Sequence, residues 1–194
     1  RVNYNANGKQ TSLNGLDSGD LDNPYILSLD GEAGSDFYEV GLAGSGVSTV
    51  IISDSGTPGS GIDSVEIKGT DNRDLFLFRA NNDLKVGVIA ALSLKANDMQ
   101  NAGIIERVQY DTSIDADIRV FGRDGNDRFV LDDTLVQVDV YGDAGDDVFQ
   151  VGQLFNSSRD ANNPYNGLSG IDYYSTVQVT VGFLSRGISA VATL

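Results

Sequence analysis

Five stretches of nine residues share one layout: GEAGSDFYE at 31–39, GTDNRDLFL at 69–77, GRDGNDRFV at 122–130, GDAGDDVFQ at 142–150 and GLSGIDYYS at 167–175. Each opens on glycine and has an aspartate in sixth place: Asp36, Asp74, Asp127, Asp147 and Asp172. A second glycine stands fourth in all but one, which has Asn72 there. Glycine permits the backbone angles and close approach of a tight turn. Aspartate adds one short, rigid carboxylate per turn, the kind of oxygen ligand that a hard cation such as Ca²⁺ takes. Ca²⁺ requires about six to eight oxygens at roughly 2.3–2.6 Å, so one turn cannot hold it and carbonyls and a second turn must share it. The alternative use of the same aspartates is to cap their turns by accepting backbone N–H groups.

Short alternating strands must position these turns, most plainly over 118–151. There IRVFG (118–122) is answered by VDVYG (138–142), and GNDRF (125–129) by GDDVF (145–149), both at an offset of twenty residues. A unit of that length holds a strand, a Gly/Asp turn and a second strand, which is one rung of a β-solenoid. The offset predicts that the Asp127 and Asp147 turns lie on successive rungs, about 4.8 Å apart, a separation that leaves room for an ion between them. Phe76, Phe129, Phe149 and Tyr174 hold the same place after each turn and are expected to stack as a core column. Tyr25, Tyr38, Tyr165 and Tyr173 are the aromatic residues expected at exposed contacts.

Taken together, the five nonapeptides resemble the RTX, or haemolysin-type, calcium-binding repeats, whose pattern is Gly-Gly-x-Gly-x-Asp-x-(large apolar)-x. The resemblance runs from residue 31 to residue 175 and is strongest over 118–151. It implies a parallel β-roll or β-helix in which the first half of each nonapeptide holds Ca²⁺ and the second half is a strand. It also implies that Asp127 and Asp147 are calcium ligands, with Asp36, Asp74 and Asp172 in that role in the other copies. Gly122, Gly125, Gly142 and Gly145, with Asp124, Asn126 and Asp146 between them, would form the turns and supply carbonyl and further oxygen ligands. The family's second glycine is replaced throughout, by Glu32, Thr70, Arg123, Asp143 and Leu168, and no two nonapeptides are back to back. One side of each rung should therefore carry the motif and the other ordinary turns such as Asp132-Asp133-Thr134, giving at most one line of ions. Arg123 is placed to occupy cation space itself. Asn72 is expected to keep a left-handed backbone, which asparagine tolerates best after glycine.

The 194 residues include 28 acidic against 13 basic, for a formal net charge of −15. Only Glu32, Glu39, Glu66 and Glu106 are glutamates. Such a chain repels phosphate backbones, which excludes nucleic acid as a partner, and repels itself unless cations compensate. Cysteine and histidine are both absent. That removes disulfides, a thiolate nucleophile, Cys/His zinc sites and a histidine general base. No apolar run has membrane-spanning length, and no signal-peptide layout is present. The chain opens on Arg1 and is expected to be a processed or partial product, with more chain or a partner following its apolar end.

The whole is expected to be one all-β segment, a parallel β-solenoid with rungs of about twenty residues. Residues 1–25 read as irregular loops, 26–83 as repeats, 84–117 as less regular strands, 118–151 as the clearest repeats, 152–166 as a projecting loop and 167–194 as a terminal repeat with strands. The run 86–94 fits a strand or a short helix, and alternation at Leu84, Val86 and Val88 favours strand. The expected function is a non-catalytic, calcium-stabilised structural or adhesive segment of an extracellular or cell-surface protein. Its expected contacts are neighbouring solenoid segments, copies of itself or surface glycans. The competing class is a carbohydrate-active β-helix enzyme of lyase or epimerase type, against which stands the lack of an Asp/Arg/His cluster outside the repeats.

Overall fold

The computed structural model describes residues 25–44, 48–57, 59, 61–92, 105–152, 176–178, 183–185 and 188–194. The N-terminal loops, the projecting loop and the fifth motif with Asp172, Tyr165, Tyr173 and Tyr174 lie outside the described residues. Two sheets account for most of the described chain. The first has seven strands in the order β1 (Tyr25–Asp30), β3 (Ser48–Ser53), β7 (Ile105–Asp111), β6 (Val86–Leu92), β5 (Leu75–Asn81), β9 (Arg128–Leu131) and β11 (Val148–Val151). The second has five, in the order β14 (Ala192–Thr193), β10 (Val138–Tyr141), β8 (Ile118–Phe121), β4 (Ser64–Lys68) and β2 (Phe37–Gly41). A separate antiparallel pair joins β12 (Thr176–Gln178) to β13 (Phe183–Ser185).

The sequence repeat is visible as strand register. Ile118 lies opposite Val138 and Phe121 opposite Tyr141 in one sheet, and Phe129 opposite Phe149 in the other, all in parallel pairs. Residues twenty apart are thus neighbours across strands, and alternation sends one set inward. Val65, Ile67, Ile118, Val120, Val138 and Val140 on the five-stranded sheet pack against Ile52, Phe76, Phe78, Val108, Phe129 and Leu131 on the seven-stranded sheet. Burying each such side chain contributes about 1.5–3 kcal/mol, so this interlayer core, not the turns, supplies most of the driving force.

The expected parallel β-solenoid is overturned by the seven-stranded sheet. It is mixed: β6 runs antiparallel to both β5 and β7. A tight connection reverses the chain after Asn81, whose side-chain Oδ1 accepts the N–H groups of Asp83 and Leu84. The structure is all-β with two sheets and not a closed roll or helix of uniform rungs. The apolar run 86–92 is a strand, as alternation favoured. Tyr38, expected at an exposed contact, is buried in the core instead, because the alternation of β2 turns Tyr38 and Val40 inward and Phe37 outward. Among the described residues no helix is long and apolar enough to cross a membrane.

Candidate cation site in the acidic turns

The crossings between the sheets sort the sequence motifs into two groups. Turns 69–74, 122–127 and 142–147 lead from the five-stranded sheet to the seven-stranded one, so Asp74, Asp127 and Asp147 fall on one side. Turn 31–36 leads the opposite way, from β1 to β2, and places Asp36 with Asp63 and Asp115 on the other side. The expectation of one motif-bearing side is corrected accordingly. Sequence similarity among turns does not record which sheet the chain is leaving.

On both sides the aspartates form ladders. The Asp127 Oδ1 accepts the backbone N–H of Asp74 at 2.8 Å, and the Asp147 Oδ1 accepts that of Asp127 at 2.8 Å. Opposite, the Asp63 Oδ1 accepts the N–H of Asp36 at 2.8 Å and the Asp115 Oδ1 that of Asp63 at 2.9 Å. Each carboxylate therefore caps the turn of the neighbouring strand pair. Asn126 extends the first ladder, its Oδ1 accepting the Asp146 N–H at 3.0 Å, and Asp124 forms a parallel bridge with Ala144. Glu106, fully buried, caps a further turn by accepting the N–H groups of Ala43 and Gly44.

The first glycine of each described motif is required by its own aspartate. A Cβ on Gly122 would lie 2.3 Å from the Asp127 Oδ2 and 2.7 Å from the Gly142 carbonyl; a Cβ on Gly142 would lie 2.3 Å from the Asp147 Oδ2. Gly69 and Gly31 stand in the same relation to Asp74 and Asp36. The replaced second glycine leaves its mark on the backbone. Glu32, Arg123 and Asp143 all adopt positive φ, of 64°, 77° and 64°. Asn72 does not, contrary to expectation: its N–H is held by the Thr70 Oγ1, which also bonds the Asp74 carboxylate, so side chains close this turn in place of a left-handed residue. All three are exposed, and Glu32→Gly is expected to stabilise the protein by about 0.5–1 kcal/mol by relieving that conformation. A thermal melt that fell on this substitution would contradict the assignment of strain there.

Behind the turns the rings of Phe76, Phe129 and Phe149 stack, with centroids 5.1 and 4.9 Å apart and nearly parallel planes. Among the described residues the column ends on Phe149, which is 37 % exposed.

The electrostatic consequence concentrates on Asp127. It is only 1 % exposed, and its Oδ2 has no hydrogen-bond donor. Burial, with added repulsion from Asp74, Asp147 and Asp143, pushes its carboxyl up to about 6, although the Asp74 N–H pulls the other way. Burial also raises Asp74, against hydrogen bonds from Thr70. The donor set around Asp127 fits a hard cation in its chemistry: all oxygen, strongly negative, with one buried carboxylate oxygen unsatisfied. Among the described residues, however, no three acidic side chains converge as a ready-made metal cluster. The Oδ1 atoms of Asp127 and Asp147 are already committed to amides.

Sequence reasoning missed Asp63, which keeps only the fourth-place glycine as Gly61, and Asp115, which has neither glycine. The signal at Asp63 was Gly-x-Asp directly ahead of a strand; Asp115 stands two residues further from β8 and offered none. Missed, too, was a cleft of about 520 Å³ between the turns following β3 and β7, lined by Asp54, Asp63, Asp111, Asp115, Ser113 and Lys85. Burial raises the Asp63 carboxyl there, and contact with Asp54 raises it further. No protein-family model, curated protein or solved structure matches the chain.

Proposed function

We propose that the chain is a non-catalytic structural segment of a secreted or cell-surface protein, in which calcium locks the stacked acidic turns. Neighbouring segments or copies of itself meet the open sheet edges. The observation that carries this reading is the buried Asp127 carboxylate, whose second oxygen has no donor, in a step between turns that also holds Asp124, Asp143 and Asp147. A chain of net charge −15 gains most from a cation at such a place. Asp127 and Asp147 hold the ion in this reading, with Asp124, Asp143 and the turn carbonyls as further oxygen donors. Binding to the folded state alone links calcium to stability, so a chain that is loose at low calcium becomes rigid where calcium is plentiful. Support for contact along the edges comes from β11, which pairs on one side among the described residues and exposes Val148, Phe149 and Val151. Tyr141, exposed and stacked on Phe121, is the aromatic surface a glycan contact would use.

Calcium added to chelator-treated protein is expected to raise its melting temperature, and Asp127→Ala or Asp147→Ala to reduce that response. An unchanged melting temperature at millimolar calcium would sink the metal while leaving the fold untouched. The Asp54–Asp63 pair in the cleft favours a second reading, acid–base chemistry on a carbohydrate. Four aspartates against the single Lys85 make the cleft repel anionic polysaccharides, so the substrate would be neutral. Release of new reducing ends from a neutral polysaccharide, lost in Asp63→Asn, would establish that reading in place of the first.

A further inference from the structure

Arg123 and Asp143 occupy the same place in successive turns, twenty residues apart, and both have left-handed backbones. Their side chains both turn back onto the preceding turn, with opposite charge. The Arg123 guanidinium lies 2.8 Å from the Asp71 carboxylate and within 3.5 Å of the Gly69 carbonyl, and its charge draws the Asp74 carboxyl downward against the larger effect of burial. A carbonyl from the first glycine, a carboxylate from the third place and the ladder aspartate are thus gathered around one positive group. In the next step the Asp143 carboxylate accepts the Arg123 N–H at 3.2 Å, bringing a further negative charge beside Asp124 and Asp127.

We propose that Arg123 is a tethered cation, a positioning residue that holds turn 69–74 against turn 122–127 in place of a metal ion. The step between 122–127 and 142–147, where Asp143 stands in the equivalent position, is left to a mobile cation. The second half of this statement rests on the calcium reading above, whereas the first stands without it. Guanidinium suits the task because its planar fork reaches a carboxylate and a carbonyl together, keeps its charge at every working pH and sheds water more readily than an ammonium. Arg123 therefore supplies turn 69–74 with a fixed positive charge that relieves Asp74, and the calcium requirement falls on Asp127.

The test is thermal unfolding of the full chain in chelator and in millimolar CaCl₂, at matched ionic strength, for wild type, Arg123→Gln, Arg123→Lys and Asp143→Arg. In chelator Arg123→Gln is expected to melt about 2–4 °C below wild type. It is expected to regain that loss in calcium, while Arg123→Lys, which keeps the charge without the fork, falls between the two in chelator. Asp143→Arg is expected to raise the chelator melting temperature and to abolish the calcium response. A loss in Arg123→Gln that is equal with and without calcium identifies an ordinary surface ion pair and overturns the proposal. So does no loss at all. The wild-type response reports separately on the calcium reading: if wild type ignores calcium and Arg123→Gln responds, that reading fails and the tethered cation stands.

Discussion

Gly145→Ala is expected to cost more than about 3 kcal/mol and to leave little folded protein at moderate temperature, whereas Gly34→Ala is expected to cost roughly 1–3 kcal/mol. Both glycines hold the fourth place of their motif with positive φ, 141° and 131°, so the conformational strain of an alanine is similar at the two sites. They differ in what lies above the Cα. A Cβ on Gly145 would stand 1.6 Å from the Gly125 carbonyl oxygen, while one on Gly34 meets nothing within 4 Å. Adjacent turns on the Asp127 side are stacked so closely that only a hydrogen atom fits between them, and the Gly125 N–H bonded to the Ala144 carbonyl fixes that separation. Equal losses in denaturant titrations of the two variants would mean that the turns do not approach as described.

The second large effect concerns pH. With its folded carboxyl at about 6 and an unfolded value near 3.9, Asp127 binds more protons in the folded state than in the unfolded one between these limits. Its contribution to stability therefore falls as pH rises from about 4 through about 6 and is flat above, a loss of roughly 2–3 kcal/mol in metal-free protein. Other carboxylates have the opposite slope: Asp30 is lowered by hydrogen bonds from Ser55 and Glu32 and favours folding as pH rises. The difference between wild type and Asp127→Asn isolates the Asp127 component. Asparagine keeps an acceptor for the Asp74 N–H and loses the charge, so in chelator at pH 7 the variant is expected to be the more stable protein, with the two converging near pH 4. A variant less stable than wild type at pH 7 without metal would show that the carboxylate is already compensated.

The sequence foretold the local repeat better than the architecture. The twenty-residue offset was legible because identical spacing imposes identical register, and the structure pairs Ile118 with Val138 and stacks Phe129 on Phe149. The antiparallel course of β6 was not legible. The apolar runs 75–80 and 86–91 look the same whichever way a neighbour runs, and reversal depends on the four residues 82–85 between them. Nor did the motif reveal which face of the molecule its turns occupy, since Asp36 and Asp127 cross between the sheets in opposite senses under the same pattern of residues. The ladders were half legible, since an aspartate in a Gly-rich turn can cap a backbone amide as readily as it can bind an ion. That each caps its neighbour's amide required knowing which turns are adjacent. Arg123 was flagged from its place in the motif, and the structure supplies its partners in Asp71 and Gly69.

The central claim is that Asp127 carries an uncompensated buried charge which a calcium ion neutralises. Calorimetric titration of CaCl₂ into chelator-treated wild type and Asp127→Asn at pH 7 tests it most directly. The account predicts saturable binding to wild type, lost in a variant that remains folded and is more stable without metal. The same binding curve for both proteins, or none for wild type, would contradict it.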